Sequence, residues 1–342
     1  MKLVESRAEL IQQAEGLDGL YRHIETCGRV PYKSESKSDG TVECAKAFVD
    51  KMIASKHNAV LEHGTVYLYL EVNDENCFSK FEYPLAQFTA GYNWSDVVGN
   101  ICARYRTNQY SRVNSLVENT EDVEGSTKVT RKYYITSNYR VIIENGWQDD
   151  LQFICAPTEF HEIRYTFKVL TSIGVTREFN RHRALSILEQ STRYCNFSKN
   201  KFDNQVSFCK PNWINLNTGI YQVVNNGKDL GDIVGDGYIK NVSDTDTDNI
   251  FLQSCLNVEA SYMTLLNEGW SPQQAREVLP LCTATEAVYT GFADQWNQFF
   301  NLRYFEQTGK VHPNMLELST KMNMEAVSKD IWRIILNGSI TE

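Results

Sequence analysis

Apolar residues along the chain recur at two spacings, one helical and one alternating. Residues 8–25 predict a first helix, broken by Arg29-Val30-Pro31-Tyr32. Val42, Ala45, Phe48, Val49, Met52 and Ile53 predict a second, with Thr41 placed to cap it and an end near His57-Asn58. Thr65 to Val72 alternates as a strand does. After the aromatics Phe78, Phe81, Tyr83, Phe88, Tyr92 and Trp94, the polar run Val117–Lys128 reads as a loop, Tyr133 to Ile143 as a strand, and Arg164 to Leu170 as another. Residues 195–250 are rich in Asn, Asp, Gly, Ser and Thr and predict loops and short strands. Helical spacing returns at 251–268 and closes at Gly269; Ser271-Pro272 has the order of an N-cap followed by a first-turn proline. Residues 285–302 and 313–336 are predicted as helices, giving a helical C-terminal third.

The stretch Arg181-His182-Arg183-Ala184-Leu185-Ser186-Ile187-Leu188-Glu189-Gln190-Ser191-Thr192-Arg193 also winds well as a helix. His182, Ser186, Glu189 and Arg193 then fall at i, i+4, i+7 and i+11 in one polar stripe, Ala184, Ile187 and Leu188 lie roughly opposite, and Asn180 is an available N-cap. A solvated charged face accounts for such a stripe. Three basic residues in a first helical turn, where the helix dipole is already positive, instead point to an external anion such as a phosphate.

Composition narrows the choices. A chain of 342 residues with 42% hydrophobic and 23% charged content can bury a large core. Its net charge of −9 argues against general binding to nucleic acid or to an anionic membrane. Nine cysteines, an odd number without a C-x-x-C pair, predict neither a disulfide framework nor a zinc ribbon. No run of about 18 apolar residues suggests a membrane span, and Met1–Arg7 lacks the apolar core of a signal peptide, so the expectation is a cytoplasmic protein. Walker, G-x-G-x-x-G, H-E-x-x-H and G-x-S-x-G patterns in their required contexts are missing.

The spelling of the central stretch goes further. Arg181-His182-Arg183, seven residues, Ser191, then Thr192-Arg193-Tyr194 resembles the signature of the flavin-dependent thymidylate synthases. Leu61-Glu62-His63-Gly64-Thr65 resembles that family's shorter Glu-His motif, and Asn301-Leu302-Arg303 its Asn-Leu-Arg segment. Ala275–Leu281, Thr285-Glu286 and Thr290-Gly291 follow the family order, and Ser137–Arg140 resembles a further segment weakly. The resemblance implies an α+β fold of the thymidylate synthase-complementing kind, a mixed or antiparallel sheet with packed helices, as one domain over 1–342 with insertions at about 73–160 and 196–250.

It also implies a reaction: reductive methylation of dUMP to dTMP, with methylenetetrahydrofolate giving the carbon and FAD, reduced by NADPH, giving the hydride. By resemblance, His63, Thr65, Arg181, His182, Arg183, Asn301 and Arg303 approach the flavin, while Glu178, Arg181, Glu189, Ser191 and Arg193 approach dUMP. Ser191 is then a positioning hydroxyl, and the expected assembly is a homotetramer. The chain departs from the family at Val311-His312-Pro313-Asn314-Met315-Leu316: Leu316 stands where many relatives place an arginine that helps ionise the pyrimidine ring, and others a glutamine. That departure leaves open a flavin-dependent dUMP hydroxymethyltransferase. A flavin- or nucleotide-binding protein without turnover is the alternative from another class.

Overall fold

A computed structural model describes residues 1–73, 94–121, 127–225 and 230–337. The chain opens with strands β1 (Lys2–Val4) and β2 (Arg7–Ile11), then helices α1 (Gly16–Arg29) and α2 (Val42–Ala54) and strand β3 (Thr65–Val72). Helix α3 (Trp94–Arg106), the hairpin β4 (Arg112–Glu121) and β5 (Thr127–Asn138), and helix α4 (Tyr139–Asn145) follow. Strand β6 (Arg164–Ser172) leads directly into α5 (Ile173–Phe179) and then β7 (Ser186–Glu189). Short strands β8 (Ser207–Cys209), β9 (Gly219–Ile220), β10 (Gln222–Val224), β11 (Asp232–Gly235) and β12 (Tyr238–Asn241) precede α6 (Thr247–Asn267) and α7 (Pro272–Ala275). Strand β13 (Ala284–Phe292) and helices α8 (Ala293–Arg303), α9 (Pro313–Ser328) and α10 (Trp332–Asn337) complete the order.

The centre of the molecule is a four-stranded antiparallel sheet in the order β2-β6-β13-β7. Alternation along β13 divides its side chains between two cores. Ala287 and Tyr289 face α5, α8 and α9, where Phe167, Phe179, Trp296, Phe299, Phe300 and Met322 are buried. Val288 and Leu188 face the opposite core, built from α1, α2, α3, β3 and β5. A third core joins β1 and the strands of the 196–250 excursion to α6.

Several expectations hold because they rest on local chemistry. The Thr41 side chain accepts the Cys44 N–H at 3.1 Å and caps α2. Strand β3 spans Thr65–Val72 as its alternation predicts, and the described residues of the excursion before α6 are mainly loops and short strands. Ser271 stands at the N-cap of α7, where Gln274 Oε1 accepts its N–H at 2.9 Å and its hydroxyl at 2.8 Å, with Pro272 in the first turn.

Others are overturned by pairing between distant segments. Residues 181–193 are not a helix: α5 ends at Phe179, a turn follows, and Ser186–Glu189 pairs with the edge of β13, Ser186 opposite Thr290 and Glu189 opposite Ala287. That pairing satisfies backbone groups on both strands, which outweighs a helical polar stripe. Asn180 is therefore a C-terminal neighbour of α5, whose real N-cap is Ser172, accepting the Val175 N–H at 3.3 Å. Residues 8–25 begin as strand β2, and helix α1 starts only at Gly16. Of Val117–Lys128, residues 117–121 and 127–128 are paired strand, with Glu121 opposite Thr127, and 122–126 lie outside the described residues. The Tyr133–Ile143 strand stops at Asn138, whose side chain caps α4 by accepting the Val141 N–H at 3.1 Å. The C-terminal third is not wholly helical: 285–302 divides into the buried central strand β13 and helix α8, and 313–336 into α9 and α10. The aromatics Phe78, Phe81, Tyr83, Phe88 and Tyr92 lie outside the described residues.

Candidate functional site

The end of α5 is anchored from below. Phe179 is fully buried and stacks on Tyr289 at 3.7 Å between ring centroids and on Phe299 at 4.4 Å. This platform fixes the turn that carries Arg181, His182 and Arg183. The His182 ring meets Phe299 edge-on at 5.0 Å. From the last turn of α8, Arg303 donates Nε–H to His182 Nε2 at 3.1 Å and Nη2–H to the Glu178 carbonyl at 3.2 Å, and its Nη1 pairs with Glu178 Oε2 at 3.5 Å. A guanidinium can only donate, so His182 Nε2 must accept and the neutral ring carries its proton on Nδ1. Burial, and then the Arg303 charge, push the His182 pKa down to about 4.

Across the turn, Glu189 on β7 accepts the Thr176 hydroxyl at 2.8 Å and the Asn180 amide at 3.4 Å. The Asn180 oxygen accepts the Tyr289 hydroxyl at 3.0 Å. Ser191 is held through its backbone: its N–H donates to the Pro31 carbonyl at 3.0 Å, and its own carbonyl accepts from Cys195 at 2.8 Å. Arg276 donates to the Thr192 hydroxyl at 3.2 Å, and the Arg193 guanidinium lies 5.6 Å from the Tyr194 ring centroid. Arg181, Arg183 and Arg193 are exposed and form no ion pair among the described residues. In a chain of net charge −9, this rim of open cations is a local reversal of sign.

His63 and Thr65 belong to a second, deeper group. His63 Nδ1 and Thr290 Oγ1 are 2.8 Å apart; Thr290 and Thr166 are paired across β13 and β6 with hydroxyls 2.8 Å apart; Thr166 meets His23 Nε2 at 3.1 Å. Burial first, then His23 and Arg164, hold the His63 pKa well below the ordinary histidine range. Gln13 clamps the Thr65 backbone, donating to its carbonyl at 2.7 Å and accepting its N–H at 2.8 Å. Buried Arg164 donates to the Glu62 carbonyl through both terminal nitrogens at 3.1 Å, to the Thr65 hydroxyl at 3.3 Å and to Ser186 Oγ at 3.4 Å. Ser186 and the β13 register therefore connect the deep group to the outer turn.

The structure thus brings Glu178, His182 and Arg303 into one cluster, while Glu189 bonds Thr176 and Asn180, on a different side of α5 from Glu178. His63 and Thr65 sit together in the deep group. Asn301 shares α8 with Arg303 but exchanges hydrogen bonds with Asn297 and Gln307 instead. Leu316 is half-buried in the first turn of α9, and Ser319 one turn later donates to the Arg303 carbonyl at 2.8 Å, so α9 adjoins the cluster through the end of α8. Sequence reasoning missed Arg164, Thr166, Thr176 and His23. Arg164 and Thr166 carried a signal, being polar residues that, with Lys168, alternate with Tyr165, Phe167 and Val169 along the strand.

The family described as thymidylate synthase complementing protein matches residues 103–326, about two thirds of the chain. The chain belongs to this family. The thymidylate synthase complementing match takes in Glu178 to Arg193, Asn301, Arg303 and Leu316, whereas His63 and Thr65 precede it. No curated protein matches the chain. Among solved structures, the UMP/dUMP methylase PolB from Streptomyces cacaoi bound with 5-Br dUMP is similar over 99% of this chain and 96% of its own, at 15% identity and a TM-score of 0.39. Thymidylate Synthase X from Helicobacter pylori with FAD and dUMP is similar over 51% of this chain and 73% of its own, at 17% identity and a TM-score of 0.32. Both superpositions are loose, and membership rests on the family match. No helix among the described residues is long and apolar enough to cross a membrane.

Proposed function

We propose that the protein catalyses reductive methylation of dUMP to dTMP, taking the carbon from methylenetetrahydrofolate and using FAD reduced by NADPH. One observation carries the reading. Within the family match, the Arg181–Arg183 turn is rigidly seated by Phe179 and by the Arg303–His182–Glu178 cluster, yet its two arginines remain open to solvent and without a carboxylate partner among the described residues. Such a turn suits the pyrophosphate of FAD, whose charge the arginines neutralise bidentately. FAD, when bound, supplies the two-electron reduction of the transferred carbon.

The remaining residues bind and orient. His182, neutral and fixed by Arg303, offers its Nδ1–H as a donor at the flavin, with Asn301 and Arg303 on the adjoining helix. Thr65 and His63 support that side from the deep group. Arg193 takes the dUMP phosphate through its planar donor fork, and Ser191 positions the nucleotide. Glu189 keeps acceptor capacity beyond its bonds from Thr176 and Asn180, enough for a ring N–H or a sugar hydroxyl. Glu178, committed in part to Arg303, faces base or sugar and not phosphate. Cys195, the cysteine closest to the signature, donates its thiol to the Pro31 carbonyl at 3.6 Å, and burial pushes its pKa up, so it supplies no thiolate nucleophile. The outward-facing cations fit a homotetramer in which neighbouring subunits complete each site.

Leu316 favours one second reading. An aliphatic side chain there cannot polarise the pyrimidine ring, and a dUMP hydroxymethyltransferase that intercepts the one-carbon unit with water, without the reductive step, is the variant of this chemistry to set against it. The test is an absorbance spectrum of the protein as purified and after reconstitution with FAD, followed by product analysis. Bound flavin that bleaches with NADPH, reoxidises with dUMP plus methylenetetrahydrofolate and yields dTMP is the expected result. Hydroxymethyl-dUMP would select the second reading, and folded protein that cannot hold FAD would overturn both.

A further inference from the structure

Two thiols meet where α6 packs against the segment that enters the central sheet. Cys255 lies within α6 and Cys282 two residues before β13, with their sulfurs 4.0 Å apart. Their depths differ. Cys255 is 2% exposed in the third core, whereas Cys282 packs against that core half-buried, next to the exposed Leu281. Ionisation follows the same division: the S–H of Cys255 donates to Cys282, which holds the Cys282 thiol below its usual range and Cys255 above its own. The backbone around Cys282 is tied down on both sides. Cys209 N–H donates to the Cys282 carbonyl at 2.8 Å, Gly174 N–H to the Leu281 carbonyl at 2.9 Å, and Ile173 N–H to the Thr283 carbonyl at 3.0 Å. The sulfurs are thus kept within reach, and closing them to a bond of about 2.05 Å moves each by about 1 Å, the scale of a side-chain rotation. Cys209 is a poorer partner, being 5% exposed, with its thiol pushed up by burial and its hydrogen bond to Cys282 made through the backbone. Among the described residues no set of three metal-ligating side chains forms here, so the chemistry open to the pair is that of thiols.

We propose that Cys282 and Cys255 form a modification site, an oxidisable dithiol that a hydroperoxide converts to a disulfide in the folded protein. The Cys282 thiolate attacks the peroxide, forming an S–O bond as the O–O bond breaks, and the leaving oxygen takes up a proton. The Cys255 sulfur then attacks the Cys282 sulfur and displaces hydroxide, which leaves as water with the Cys255 proton. The two thiols together lose two electrons and two protons, and hydrogen peroxide is reduced to two molecules of water. The new bond ties α6 to the segment that fastens the first turn of α5, and a thiol reductant reverses it. None of the residues given to flavin or nucleotide takes part, so this inference and the flavin reading can fail separately.

The test adds hydrogen peroxide in small molar excess to the folded, reduced protein, alkylates the remaining thiols and digests the chain with trypsin without reduction. Cys255 and Cys282 fall on separate tryptic peptides, 241–276 and 277–303, and Cys209 on a third, 202–228. A cross-linked species of the first two peptides is expected, and it should disappear on treatment with dithiothreitol. In Cys255→Ala the cross-link should be lost and Cys282 should instead be trapped by dimedone as its sulfenic acid. In Cys282→Ala, Cys255 should stay a free thiol, because it is buried and no longer has an oxidised neighbour to attack. Absence of the cross-link, a link from Cys282 to Cys209, or a link that forms only after urea has unfolded the chain would overturn the proposal. So would dimedone labelling of Cys255 in Cys282→Ala that equals the labelling of Cys282 in Cys255→Ala. If either substitution prevents folding, the peptide map of the unsubstituted protein decides.

Discussion

The deep group around Arg164 and the outer rim from Arg181 to Arg193 handle positive charge in opposite ways. In the deep group, carbonyls, hydroxyls and neutral imidazoles surround the charge, and Thr290 and Thr166 link two histidines across the sheet. In the rim, aromatic packing fixes the backbone while the cationic ends stay in water. The lone exception, Arg303, is tied to Glu178 and His182 and acts as the brace between the rim and α8. The difference separates two uses of arginine: one organises protein interior through neutral partners, the other keeps charge available to a ligand. Stability should therefore depend on the first region and ligand affinity on the second.

The largest expected effect breaks that division. Phe179→Ala removes the ring stacked between Tyr289 and Phe299 under the rim and should cost about 3–5 kcal/mol in urea unfolding. A loss below about 1 kcal/mol would mean the turn is not held by its platform. Next, Thr290→Val keeps volume but strands His63 Nδ1 and deprives Thr166 of its partner, at about 2 kcal/mol for buried groups left unsatisfied. If instead stability is unchanged, the hydroxyl chain is not the frame of the deep group.

An acid titration sharpens the comparison further. His23 and His182 are held down to about 4, and His63 well below its usual range, in each case mainly by burial. In the unfolded chain these rings titrate near about 6.5. Below that pH the unfolded state binds more protons than the fold, so stability present above about 6.5 is lost as pH falls toward about 4. The urea midpoint should drop between pH 7 and pH 5, before most carboxylates titrate, and a flat profile there would contradict neutral buried rings. The smallest stability effect belongs to the rim. Arg183→Gln should change unfolding by no more than about 0.5 kcal/mol while weakening FAD binding about tenfold in a flavin titration. A large stability loss with unchanged flavin affinity would reverse the roles of the two regions.

What could be read from the sequence follows the range of the interactions. Thr41, Ser271-Pro272 and the alternation of Thr65–Val72 act within a few residues, and each appears as expected. The rim residues were legible by spelling, but their secondary structure was not. Ser186–Glu189 and Ala284–Phe292 become strands only because they pair with each other and with β6, and single-segment periodicity holds no trace of that pairing. The same limit concealed the deep group. Thr166 faces Thr290 through strand register, and Arg164 reaches Ser186 across β13; neither relation can be read from local spacing.

The strand order β2-β6-β13-β7 also has a bearing on how the chain is made. One of its two interior positions is filled by β13, which spans Ala284–Phe292 and is the last of the four to leave the ribosome. Until then β6 has β2 beside it and an open edge on the other side, and Phe167 and Val169 have no α8 to cover them. The first core can collapse early from α1, α2 and β3, but the central sheet must wait through the whole 196–250 excursion. Closing such distant contacts is slow, and the waiting edge is the place where a nascent chain is most open to mispairing.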